Sequence, residues 1–74
     1  MNFNHYQRAI DTVLSLGDQA VGDSRREAAE VLNALDNRLI GMSIAAQAAG
    51  APREWIEAAE QGRARIAELL ASAK

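Results

Sequence analysis

The 74-residue chain contains no cysteine, one histidine, one proline and three aromatic residues, Phe3, Tyr6 and Trp55. Without cysteine there is no disulfide staple and no thiolate metal site, and the redox compartment is left open. His5 has no metal-ligand companion at helical spacing, so it reads as a surface or interface side chain near the N-terminus. The serines at 15, 24, 43 and 72 lack a second histidine to activate them, and the five scattered glycines form no phosphate-cradling loop. An enzyme is therefore not expected, and no cofactor or metal is implied. No run approaches the roughly 20 apolar residues of a membrane helix. Asn2, Asn4, His5, Gln7 and Arg8 also break the charged-then-apolar pattern of a signal peptide. The expectation is a cytoplasmic protein, of a bacterium or of a phage-infected cell.

What the chain has in quantity is alanine, 16 residues within an apolar fraction of 49%. Small side chains suit close helix–helix approach rather than a deep substrate cavity. Residues 1–74 are read as a single domain, and one of this length buries only about 60% of the surface its unfolded chain exposes. Lacking staples, it is expected to lean on helix packing and to dimerise with itself. Net charge is −2, unevenly spread: residues 1–37 carry three Arg against six Asp and Glu, residues 38–74 five Arg and Lys against four Glu. An anionic partner would meet the C-terminal half.

Hydrophobic periodicity gives an all-α fold. Phe3, Tyr6, Ile10, Val13, Leu14, Gly17 and Val21 recur at spacings of three and four, predicting an amphipathic helix over about 4–21. Gly22-Asp23-Ser24 ends it, with Gly22 available for a left-handed turn and Ser24 able to cap the next helix at Glu27. From Arg25, the series Ala28, Leu32, Leu35, Leu39, Met42, Ala46, Ala49 allows one helix over about 25–49. Gly41 followed by Ser43 allows instead a break into two. Gly50-Ala51-Pro52 starts a last helix over about 52–72, with Trp55, Ile56, Ala59, Ile66, Leu69 and Leu70 on one face and Gly62 as a point of interruption. The bundle thus has three long helices or four to five shorter ones. The apolar positions expected to face a second copy are Phe3, Tyr6, Ile10 and Leu14, with Val31 and Ile40 of the second helix. Trp55 is either the largest core side chain of the last helix or an anchor for a partner. Glu27 and Glu30, or Glu54, Glu57 and Glu60, read as solvated faces.

The segment around the second break carries the most functional information. A helix-turn-helix needs a small residue where its helices cross, a glycine in the turn and an aliphatic packing back, and Ala46, Gly50 and Ile56 fall in that order. With Arg53-Glu54-Trp55-Ile56 and Glu60-Gln61-Gly62-Arg63, residues 42–66 resemble the Cro/repressor-type helix-turn-helix family, especially its antitoxin-like members. The resemblance implies a small transcriptional regulator, acting as a dimer on a short palindrome. Arg53, Glu57 and Gln61 would then lie on the groove-facing side of the recognition helix, and Arg63 and Arg65 near phosphates. A second class stays open, because Glu54 and Glu57 put carboxylates where DNA would approach. On that reading the chain is a small helical protein-interaction module, such as a phage- or plasmid-encoded inhibitor that binds a host protein, with no DNA role.

Overall fold

Hydrophobic spacing resolves into three helices rather than four or five. The computed structural model describes residues 2–22 and 24–72, and forms α1 (Phe3–Ala20), α2 (Arg25–Ala48) and α3 (Arg53–Ser72). Asn2 caps α1, its side-chain Oδ1 accepting from the His5 amide at 3.0 Å. At the first turn, where Asp23 lies outside the described residues, Ser24 Oγ accepts from the Glu27 amide at 3.4 Å. Gly22 does not take the expected left-handed conformation. Its amide donates to the Gln19 carbonyl at 3.2 Å, closing a right-handed final turn that leaves no use for positive φ.

The second turn does use glycine's freedom. Gly50 has φ of +70°, the Gly50 amide donates to Gln47 O at 3.1 Å, and the Ala51 amide donates to Ala46 O at 2.9 Å. These two bonds are the Schellman arrangement that satisfies the last carbonyls of a helix. Pro52 follows, one residue ahead of α3.

Helix α2 does not break at Gly41. A helix of 24 residues is about 36 Å long at 1.5 Å per residue, close to the 39 Å long axis of the molecule. Leu39 meets Gly62, and Asp36 bonds Arg63, so α2 and α3 run antiparallel. Ile10 packs on Gly62 and Gly17 lies against Ile66 and Leu69, so α1 and α3 run parallel, in an up-down-up bundle. The two helices joined at Gly50 therefore form a long antiparallel hairpin.

The core sits on the axis of the three helices. Ile10, Val13, Leu32, Leu39 and Ile66 are its largest fully buried side chains. Side chains of this size each contribute about 1.5–3 kcal/mol when fully buried. Gly62 acts here as a spacer, since a Cβ there would lie 3.2 Å from Leu39 Cδ1 and 3.3 Å from Ile10 Cγ2. It brings α3 close to both neighbours without interrupting the helix.

This packing uses part of the stripe expected to face a second copy. Tyr6 and Ile10 are 4% and 1% exposed within the single chain, because α3 lies along that side of α1. Phe3, Leu14 and Ile40 are half-buried, and Val31 is exposed.

Candidate functional site

The arginines expected on DNA are engaged with carboxylates. Arg53, in the first turn of α3, donates through Nε to Glu57 Oε1 at 3.1 Å, one helical turn away. Arg63 forms a fork on Asp36 of α2, Nε to Oδ1 at 3.0 Å and Nη2 to Oδ2 at 3.3 Å, and this pairing raises its already high pKa. Arg65 reaches Glu68 at 3.2 Å and Asp18 of α1 at 3.4 Å. Glu57 and Gln61 are exposed on α3. The structure thus places Arg53, Glu57, Gln61, Arg63 and Arg65 on one helix but not on one positive face. Arg63 and Arg65 tie α3 to its neighbours through half-exposed pairs that solvent screens.

A concave site lies elsewhere, at the end of the molecule where α1 begins and α2 turns into α3. It is a groove of about 730 Å³, with Tyr6 and Ala9 of α1 on one wall and Arg38, Met42 and Ala45 of α2 with its C-cap Ala49 on the other. The Gly50–Pro52 corner and Trp55 close its end. Small side chains produce it: at Ala9, Ala45, Ala46, Ala49 and Ala51 nothing extends far enough to fill the angle between the helices. Spacing explains which face of α2 is presented. Arg38, Met42, Ala45 and Ala49 follow at four, three and four, a stripe beside the core stripe of Leu32, Leu35, Leu39 and Ala46. Val31, seven residues before Arg38, extends that stripe, and Leu16, seven after Ala9, extends the α1 wall. Both are among the exposed large hydrophobic residues, at 39% and 45%.

Trp55 is half-buried, packed against the core rather than within it. Its ring centroid lies 4.9 Å from that of Tyr6 and 5.8 Å from that of Phe3, both tilted contacts that tie α3 to the start of α1. Its half-exposed remainder lines the groove. Tyr6 beneath it is buried, and its hydroxyl has no hydrogen-bond partner among the described residues. Burial pushes the Tyr6 pKa above 10.0.

Arg38 is the single charged residue lining the groove, and it forms no ion pair among the described residues. Of the groove residues, sequence reasoning singled out Tyr6 and Trp55 as partner-facing. It assigned Met42 and Ala49 to the core stripe and gave Arg38, Ala9 and Ala45 no role in binding. The signal available was the second stripe on α2, offset from the first by about one residue. Compared with protein-family models, curated proteins and solved structures, the chain matches none.

Proposed function

We propose that the chain is a small helical protein-interaction module that receives a partner in the groove between α1 and α2, with no role on DNA. One observation carries the reading: the apolar groove holds an arginine with no ion pair among the described residues, whereas each arginine expected on DNA is paired with a neighbouring carboxylate. Duplex recognition rests on cations free to displace counterions from phosphate. Glu54 and Glu57 beside Arg53 work against that. An apolar groove walled by small residues instead suits a helix laid into it, anchored at positions i, i+3, i+4 and i+7.

The test is selection of displayed helical peptides on the immobilised protein, run beside selection from a random duplex pool at about 100 mM salt, where exposed charges still act over roughly 10 Å. Peptide binders whose amide shift changes concentrate on Ala9, Met42, Ala45, Ala49 and Trp55, and which no longer bind an Ala45→Trp variant of unchanged helicity, are the expected result. Enrichment of a duplex motif that Arg53→Ala relaxes and Arg63→Ala weakens uniformly would overturn it in favour of the DNA-binding regulator.

A further inference from the structure

The groove specifies more than an apolar occupant. From the lone unpaired cation in its wall we infer that the partner is an amphipathic helix carrying an aspartate or glutamate beside its apolar stripe, seated so that this carboxylate meets Arg38. The inference rests on the interaction-module reading.

Charge complementarity is the first support. No lining residue other than Arg38 carries a charge at neutral pH. A carboxylate entering the groove meets one positive charge and no repulsion from the walls, and a cationic residue entering at the same depth would meet Arg38 alone. Pairs partly sheltered from water by an apolar rim are worth more than fully exposed ones and fix register along a helix.

The length of the apolar surface is the second. The stripe Val31, Arg38, Met42, Ala45, Ala49 runs along α2 to its C-cap, 18 steps of 1.5 Å or about 27 Å. Ala9 and Leu16 run beside it on α1. A surface of this shape matches several turns of helix better than a compact ligand, and it makes the occupant a fourth member of the bundle.

Gly41 is the third. It sits in the middle of α2, is exposed, and a Cβ built on it would meet nothing within 4 Å. Glycine in a helix interior costs about 1 kcal/mol relative to alanine, and no contact within this chain uses the missing side chain. Lying three residues after Arg38 and four before Ala45, it falls beside that stripe without lining the groove, so a partner there would meet no side chain at this position.

The probe is a displayed library of 18-residue helical peptides with a fixed apolar stripe and randomised flanking positions. It is selected separately on the wild-type protein and on Arg38→Glu, whose exposed side chain can be changed without touching the core. The expected result is an acidic residue enriched at one register position with wild type, replaced by lysine or arginine at that position with Arg38→Glu. Synthesised acidic binders should lose about tenfold or more in affinity on Arg38→Glu, and the loss should shrink with added salt.

Groove binders with no charge preference, equally retained by Arg38→Glu, would overturn the acidic-helix inference while leaving the interaction-module reading intact. Absence of any binder that Ala45→Trp displaces would overturn the interaction-module reading itself. Sedimentation showing a dimer that Ala45→Trp dissociates would identify the occupant as a second copy and so overturn the inference of a separate acidic helix.

Discussion

The two faces of α2 are built from similar residues and do opposite things. Toward α3, Leu39 fits against Gly62, Asp36 bonds Arg63, and Ala46 and Ala59 are both buried. Toward α1 near the Gly50 corner, Ala45 and Ala49 stay exposed and Met42 half-buried, and the helices leave a groove. The helices close up where Leu39 fills the space over Gly62, and leave a cleft where Ala9, Ala45 and Ala49 on both walls are small. A small-residue helix face is thus not a structural class by itself; its neighbour decides whether it is core or binding surface.

The largest effect that would test this contrast is expected at Leu39, which has 0% exposure. Leu39→Ala should cost about 2–5 kcal/mol, because the cavity beside Gly62 cannot collapse onto a side chain that is already absent. Met42→Ala on the groove side should cost clearly less. Chemical denaturation of both variants checks the difference, and equal losses would mean the groove wall is core after all.

The next contrast is between two mid-helix glycines. Gly62→Val should destabilise by about 1–3 kcal/mol, since its methyls would press on Leu39 and Ile10. Gly41→Ala should stabilise by about 0.5–1 kcal/mol, because it gains helix propensity and meets no atom. Thermal melts of the pair should move in opposite directions, and a destabilised Gly41→Ala would show that α2 needs the glycine within the isolated chain. If Gly41 serves a docked helix, the same alanine variant should bind the selected peptides less tightly while being more stable alone.

The smallest effect is set by Tyr6. Its folded pKa is raised above 10.0 by burial, so the folded state holds the phenolic proton at pH values where the unfolded chain releases it. Stability from this group is therefore fully present below about pH 10 and declines as pH rises beyond it. Tyr6→Phe should flatten the alkaline limb of a stability–pH profile and change stability near neutral pH by less than about 1 kcal/mol, as it also removes a buried hydroxyl without a partner. An unchanged alkaline limb would show that other groups govern it.

Some of this was legible in the residues and some was not. Ser24 three residues before Glu27, and Gly50 ahead of Ala51-Pro52, marked two helix ends because caps depend on bonds between residues three to five apart. Gly41 was ambiguous for the same local reason: an isolated glycine weakens a helix but does not end one unless the chain around it gains by turning, and here Leu39, Ser43 and Ala46 are all buried on one continuous face. The arginine pairings were not legible: the Asp36 partner of Arg63 is 27 residues away and the Asp18 partner of Arg65 is 47 away. Nothing in the C-terminal segment alone discloses either pairing.

By itself, then, the sequence determined the all-α class, the two turns that separate the helices and much of each core stripe. All of these rest on interactions within one or two turns, and on a periodicity that any helix imposes. Only the tertiary structure decided that α2 and α3 lie antiparallel along their length, that Tyr6 and Ile10 belong to this chain's own core, and that the open surface is the seam around Arg38. Those outcomes depend on how three separate faces share a limited number of large side chains. Which small residues end up opposite one another is settled only when the helices pack.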